Sequence, residues 1–153
     1  MKIFLVQHGQ AMAASDDPLR PLTPEGVDSV RNIGAWARNA AVGVTHIRHS
    51  GKLRAEQTAQ ILAEYLKPSG DLISVSGLGP NDDVVPVGGM AENELANAML
   101  VGHLPFLSRL AGLLVVGNPE VQIVRFCNAG IVCLLNEKGS WSINWVTSPE
   151  LLV

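Results

Sequence analysis

The sequence contains only two cysteines and no excess of positive charge, and both shortages exclude classes of protein. Two cysteines cannot form the disulfide framework of a small secreted fold. A chain of 153 residues can fold without one, because it buries roughly 68% of its unfolded surface. Eleven Lys and Arg residues against 14 Asp and Glu leave a net charge of -3, which creates no overall field that would attract nucleic acid or an anionic membrane. Any phosphate chemistry must therefore depend on a local group of residues.

Long hydrophobic runs are also missing from the sequence. The longest, Leu110 to Val116, is well below the roughly 18 residues that cross a bilayer. The run Ile3 to Val6 is too short for the core of a signal peptide, and no small-residue cleavage site follows it. We therefore expect a cytoplasmic protein whose partners include neither a membrane nor a nucleic acid, and whose N-terminus belongs to the fold.

Short apolar runs with strand character alternate with helical patterns over much of the chain. The predicted strands are Lys2–Gln7, Thr45–His49, Leu72–Ser76, Ala98–Gly102, Gln122–Phe126, Ile131–Asn136 and Trp141–Val146. The predicted helices run from a Thr23 cap to about Asn39, from a Ser50 cap to Lys67-Pro68, and from about Leu104-Pro105 to Gly117.

This alternation predicts an α/β fold of three layers, α/β/α, with a mostly parallel central sheet. The first strand supports the prediction, because Ile3 to Val6 is apolar on both faces. Later turns at Asn128-Ala129-Gly130 and Lys138-Gly139-Ser140 indicate an antiparallel hairpin edge near the C-terminus. We expect residues 1–153 to form a single domain. The segment from Gly77 to Glu94 is predicted to be a long functional loop with one helical turn.

Polar residues follow the predicted strands at the points where ligands bind to open α/β sheets. The first strand ends in Gln7-His8-Gly9, the second in His49-Ser50-Gly51 and the fourth in Gly102-His103. Glycine beside a histidine leaves room for a ligand to approach the backbone. His46 and His49 do not indicate a metal site, because residues i and i+3 of a strand point to opposite faces and no other ligand lies at a suitable spacing.

Four segments in order carry a resemblance to a known family. They are Gln7-His8-Gly9, Arg20-Pro21-Leu22-Thr23, Ser50 with Leu53-Arg54-Ala55-Glu56-Gln57-Thr58, and Val101-Gly102-His103-Leu104-Pro105. In these segments the sequence resembles the histidine phosphatase superfamily, most closely its short SixA-type phosphohistidine phosphatases. The resemblance covers nearly the whole chain, and the stretch from Asn144-Trp145 to Ser148-Pro149 is also similar to the SixA group.

The resemblance implies a role for each matching residue. His8 would be the nucleophile that accepts the phosphoryl group, since a neutral imidazole nitrogen attacks phosphorus without first losing a proton. His103 would be its catalytic partner beside the phosphate, and Arg20 and Arg54 would hold the charged oxygens. This chemistry needs no metal and no cofactor. Solvated ion pairs are the alternative interpretation of the arginines, Arg20 with Asp16 or Asp17 and Arg54 with Glu56 or Asp71.

Position 7 departs from the family pattern, in which the first motif is Arg-His-Gly. Gln7 can still bind phosphate through one amide NH2, but it has no charge and no guanidinium fork. Loss of such a contact costs on the order of 3 kcal/mol, roughly a hundredfold in rate. A general acid is not fixed by any motif, and the candidates are Asp82 and Asp83 in the long loop, with Glu92 and Glu94 further on.

Three functions are compatible with these residues. The leading hypothesis is a SixA-like phosphohistidine protein phosphatase that acts through a covalent phosphohistidine on His8. The second is a catalytically weak or inactive domain that binds phosphate or a phosphoprotein, as Gln7 suggests. The third is a phosphatase for small phosphate esters, which the short chain disfavours because it lacks the insertions that other branches use as a substrate lid. The sequence indicates no oligomeric state.

Overall fold

The computed structural model of the chain describes residues 1–152, and its elements follow the predicted alternation. The strands are β1 (Lys2–Gln7), β2 (Ile47–His49), β3 (Leu72–Ser74), β4 (Met99–Gly102), β5 (Ile131–Glu137) and β6 (Ser140–Thr147). The helices are α1 (Pro24–Asn39), α2 (Leu53–Leu66), α3 (Val85–Met90) and α4 (Phe106–Val116), followed by a 3-10 helix at Pro149–Leu152.

The six strands form one sheet in the order β3-β2-β4-β1-β5-β6. The first four strands in that order are parallel, while β5 is antiparallel to β1 and forms a hairpin with β6. The predicted α/β class, the mostly parallel sheet and the antiparallel edge are therefore confirmed. The strand order also places the carboxyl ends of β1, β2 and β4 side by side.

Strand β1 lies inside the sheet and contributes to two hydrophobic cores. Ile3 and Leu5 pack on one face with residues of α3 and α4, whereas Phe4 and Val6 pack on the other face with α1 and α2. All four side chains are essentially buried, since successive side chains of a strand point to opposite faces. Strand β1 is thus apolar on both of its faces because helices cover both faces of the sheet.

Helix α1 begins where the sequence predicts, and its first turn packs tightly against the chain that follows β1. The Thr23 hydroxyl accepts a hydrogen bond from the Gly26 amide at 3.0 Å, as an N-cap does. A Cβ atom on Gly26 would lie 2.1 Å from the Gln10 carbonyl oxygen. Only glycine permits this approach, which brings the segment after His8 against the start of the helix.

Two local predictions are wrong. Gln122–Phe126 is not a strand, because Ile123, Val124 and Phe126 pack irregularly on the core of α3 and α4 and pair with no sheet edge in the described chain. Ser50 does not cap α2: Lys52 occupies the cap position, and no side chain caps that helix within residues 1–152. The loop from Gly77 to Glu94 contains the short helix α3, in keeping with the predicted helical turn.

Candidate active site

A cleft of about 440 Å³ lies at the carboxyl ends of β1 and β4. The register pairs Gln7, the last residue of β1, with Gly102, the last residue of β4. Each strand is followed directly by a histidine, so the sheet brings together two residues that are far apart in the sequence. The cleft is lined by Gln7, His8, Gln10, Ala11, Arg20, Arg54, Pro80, His103, Leu104 and Asn128. All the predicted nucleophile and phosphate-binding residues therefore line one cleft.

His8 is held in a single tautomer by its neighbour. Its Nδ1 lies 2.7 Å from the Gly9 carbonyl oxygen, and because a carbonyl oxygen can only accept, Nδ1 carries the hydrogen. The lone pair of the neutral ring is then on Nε2, which has no hydrogen-bond partner among residues 1–152. Burial lowers the pKa of His8, the Gly9 contact opposes this, and the cations of Arg54 and Arg20 lower it further. The ring is accordingly neutral at pH 7.

The backbone beside His8 is fixed by buried contacts. The Gly9 amide donates to the Thr58 hydroxyl at 3.0 Å, and that hydroxyl donates to the Arg54 carbonyl at 2.7 Å. Thr58 is fully buried, and it therefore ties the segment that follows β1 to the first turn of α2. A Cβ atom on Gly9 would lie 2.8 Å from the Val30 side chain, so this position leaves no room for a larger residue.

His103 lies beside His8, with ring centroids 5.0 Å apart. It is only 2% exposed, and its Nε2 is 2.6 Å from the Ser50 hydroxyl oxygen. Its Nδ1 is buried and has no hydrogen-bond partner in the described part of the chain. Burial lowers the pKa of His103 to about 3, with smaller contributions from His8, Arg54, Lys52 and Arg20. His103 is therefore a neutral ring with one unused polar atom.

The buried neutral His103 predicts a fall in stability in acid. The unfolded chain binds a proton at this histidine below its ordinary pKa of 6.5 and the folded chain only near 3, so stability falls as the pH falls through that window. Between about pH 7 and about pH 5, His103 alone should account for a loss of about 2 kcal/mol. Urea unfolding of the wild type and His103→Gln at both pH values measures this. An unchanged pH dependence in the variant would contradict the prediction.

The two predicted phosphate-binding arginines approach the cleft from different elements. Arg54 is the second residue of α2, and its Nε is buried without a partner among the described residues. Arg20 precedes α1 with a backbone φ of 50°, and its Nε donates to the Met12 carbonyl at 3.0 Å. Burial and the nearby Arg20 both lower the pKa of Arg54. Within residues 1–152 neither arginine forms a salt bridge, so the alternative ion pairs are absent there.

Gln7 has a partner that sequence reasoning missed. Its Nε2 donates to Asn128 Oδ1 at 2.9 Å, while its Oε1 is buried and unpaired within the described chain. Asn128 reaches the site because the following Ala129 amide lies 2.9 Å from the Gln7 carbonyl oxygen and 3.2 Å from that of His8. The sequence predicts Asn128 only as part of a turn. No sequence signal indicates that this turn is attached to the end of β1.

The candidate general acids lie outside the cleft lining. Asp82 accepts a hydrogen bond from the Gly79 amide at 2.7 Å and lines a neighbouring pocket, which borders the cleft at Pro80. Asp83 accepts from the Val85 amide at the start of α3. Glu92 contacts Asn136. None of the three carboxylates is brought against His8 in this structure.

A metal-binding cluster and a membrane-spanning helix are both absent from residues 1–152. No group of three or more His, Cys, Asp or Glu side chains there is arranged to hold a metal ion. Within the same residues, none of the helices combines the length and the apolar character needed to span a bilayer.

The fold and the cleft together define a class of protein. A neutral histidine at the end of a central parallel strand, sharing its cleft with a second histidine and two arginines that form no salt bridge within residues 1–152, is the arrangement expected of a histidine phosphatase. No protein-family model matches the chain. The phosphohistidine phosphatase SixA of Escherichia coli (strain K12) is 30% identical to it over 154 residues, which cover 97% of this chain and 94% of that protein. The chain belongs to the SixA family of phosphohistidine phosphatases, as its motifs predict.

Solved structures agree with this assignment. A structure of the protein histidine phosphatase SixA in complex with tungstate superposes with a TM-score of 0.84, at 30% identity and over 100% of both chains. A putative SixA from Agrobacterium tumefaciens gives a TM-score of 0.77 at 19% identity, over 97% of both chains. A putative alpha-ribazole-5'-P phosphatase from Escherichia coli also gives 0.77, at 17% identity, covering 97% of this chain and 98% of that one. The latter two share the fold.

Proposed function

We propose that this protein is a phosphohistidine phosphatase, a hydrolase that removes the phosphoryl group from a histidine of a partner protein. The observation that carries the proposal is the contact from His8 Nδ1 to the Gly9 carbonyl oxygen. It fixes the tautomer and leaves the lone pair on Nε2, in a cleft that also contains two arginines. Membership of the SixA family supports the same substrate class.

The reaction has two steps at phosphorus. In the first, the lone pair of His8 Nε2 forms a bond to phosphorus while the bond to the substrate nitrogen breaks, and the departing imidazole keeps the electron pair and takes up a proton. In the second, a water oxygen bonds to phosphorus, the bond to His8 Nε2 breaks, and a proton passes from the water to solvent. His8 starts and ends neutral, which suits its lowered pKa.

Arg20 and Arg54 supply the positive charge in the proposal. The equatorial oxygens of the phosphoryl group carry the charge that must be stabilised in the transition state. Both arginines line the cleft, and neither is neutralised by a carboxylate within residues 1–152. The protein has a net charge of -3, so this cluster is a local positive site, as the sequence predicts. No step of the proposal needs a metal or a cofactor.

A weak acid is sufficient for the proposed substrate. An imidazole leaving group needs less help from a proton donor than an alkoxide does. The proposed reaction can therefore proceed although the loop carboxylates lie outside the cleft lining. A phosphate ester would need a donor, and Asp82, in the pocket beyond Pro80, is our candidate for that slower reaction. This difference supports phosphohistidine over a small phosphate ester.

A protein substrate fits the surroundings of the cleft. A groove of about 700 Å³ shares Gln7, Leu104 and Asn128 with it and continues past Phe126 towards Glu150. The polypeptide around a phosphohistidine could occupy this groove.

We also propose a cytoplasmic location. Cys127 and Cys133 are free thiols, as is usual for cytosolic proteins.

A second candidate function is a domain that binds phosphate or a phosphoprotein without turnover. The observation that favours it is the hydrogen bond from Gln7 to Asn128. It occupies one of the two hydrogens of the amide that replaces the arginine of the family motif, so the cleft has one phosphate donor fewer. Binding would still be supported by Arg20 and Arg54.

Phosphate release separates the two functions. Purified protein, with a metal chelator present, should release phosphate from a histidine-phosphorylated protein and much more slowly from an aryl phosphate. The chelator controls for contaminating metal phosphatases. Release from neither substrate, with inorganic phosphate still bound, would contradict the phosphatase proposal and favour the binding domain.

A further inference from the structure

We propose that Ser50 is a positioning residue whose hydroxyl holds His103 in the tautomer with hydrogen on Nδ1, so that His103 donates a hydrogen bond to the bound phosphoryl group. The inference rests on the proposed function for the identity of that group. The sequence predicts a different task for Ser50, the cap of α2, and the structure assigns that position to Lys52.

The geometry shows where the Ser50 hydroxyl is used. Its oxygen is 2.6 Å from His103 Nε2, a short distance for a hydrogen bond of a neutral hydroxyl. The same oxygen is 3.4 Å from the Lys52 amide nitrogen. The two contacts place Ser50 between the first turn of α2 and the buried ring at the end of β4.

The donors and acceptors at Ser50 select one tautomer. Of the two groups that its hydroxyl contacts in the described chain, the Lys52 amide can only donate, and His103 Nε2 alone can accept. The hydroxyl hydrogen therefore has a protein partner only when Nε2 carries a lone pair. Nε2 is then unprotonated, and the hydrogen of the neutral ring is on Nδ1.

The opposite tautomer is unfavourable at both ends of the ring. If Nε2 carried the hydrogen, the Ser50 hydroxyl hydrogen would have no acceptor among residues 1–152. The buried Nδ1 would then be an acceptor without a partner in the described chain, and a phosphoryl oxygen, itself an acceptor, could not satisfy it. In the selected tautomer, Nδ1 instead carries a buried hydrogen with no partner in that part of the chain, and a phosphoryl oxygen would provide one.

Isotope-labelled protein tests the tautomer directly. Nitrogen-15 chemical shifts distinguish a protonated from an unprotonated imidazole nitrogen. In the wild type, His103 should show a protonated Nδ1 and an unprotonated Nε2. In Ser50→Ala the two forms should mix, and the Kd for inorganic phosphate should rise about tenfold. Ser50→Thr retains the hydroxyl and should restore both readouts, since its methyl group can extend into the pocket that Ser50 lines.

Ser76→Ala is the matched control, because Ser76 lines the same neighbouring pocket outside the cleft. It should leave the His103 shifts and the phosphate affinity unchanged. A wild-type His103 with its hydrogen on Nε2 would overturn the inference, and so would Ser50→Ala with unchanged shifts. The wild-type spectrum decides even if the alanine variant does not fold. Absence of phosphohistidine hydrolysis would contradict the proposed function alone, because tautomer and phosphate affinity are measured without turnover.

Discussion

Replacement of His8 by alanine should lower the release of phosphate from a phosphohistidine protein by about 10⁴-fold. The variant has no atom that can form the bond to phosphorus, and the two histidines are not interchangeable. The contact to Gly9 leaves a lone pair on Nε2 of His8, whereas Nε2 of His103 faces Ser50. The rate of phosphate release, measured for the wild type and the variant at equal protein concentration, tests this prediction.

Phosphate binding should survive in the same variant. Arg20 and Arg54 still line the cleft, so the Kd for inorganic phosphate should change only a few-fold. His46→Ala is a matched control, because His46 lies before β2 and outside the cleft lining. If both His8→Ala and His46→Ala retained the turnover of the wild type, another residue would be the nucleophile.

Replacement of Gln7 by arginine should raise the rate about a hundredfold. Gln7 is uncharged, and its amide is bound to Asn128. A guanidinium has five donors, so it can bind Asn128 Oδ1 and still direct others to the phosphoryl group. The increase should appear in kcat more than in KM, because the added positive charge stabilises negative charge that develops in the transition state.

A lysine at the same position separates charge from geometry. Gln7→Lys adds a point charge without the fork and should give a smaller increase than arginine. The measurement is kcat/KM for both variants and the wild type on one phosphohistidine protein. An unchanged rate in Gln7→Arg would mean that the Gln7–Asn128 pair already meets the need at this position. Turnover only in the arginine variant would identify the natural protein as a binding domain.

The sequence predicts the site well where one residue type at one strand end carries the chemistry. His8 and His103 follow strands whose apolar runs are short and clear, and parallel topology brings their ends together. Arg54 follows in the first turn of a helix with an apolar stripe. These placements depend on local patterns and on the general rule for α/β sheets, so the cleft could be predicted from them. The family is predicted from the resemblance carried by the four motif segments.

The supporting contacts could not be predicted, because they depend on pairs that are distant in the chain. The sequence predicts that Ser50 caps α2, but its hydroxyl binds a ring 53 residues away. Asn128 meets Gln7 across 121 residues. Turn and cap chemistry is local, and it does not show which of two available partners a serine or an asparagine will take.

The predicted strand Gln122–Phe126 failed for a related reason. Its apolar residues satisfy a strand pattern, but within residues 1–152 the segment pairs with neither edge strand of the sheet, β3 or β6. Ile123 and Val124 contribute to the core from an irregular chain instead. Apolar character indicates burial, but it does not show whether a segment will lie beside a sheet edge or pack on the core as irregular chain.

The restraint on the Arg20 side chain has a thermodynamic consequence for the proposed binding of phosphate. The left-handed backbone of Arg20 is unusual for a residue with a Cβ atom. The hydrogen bond from its Nε to the Met12 carbonyl restrains the side chain near its guanidinium end. A flexible arginine loses roughly 2 kcal/mol of rotamer entropy when it is immobilised. Here much of that loss accompanies folding, before any anion arrives. The guanidinium is preorganised, and association with phosphate is spared part of an entropic penalty that a freely rotating side chain would incur.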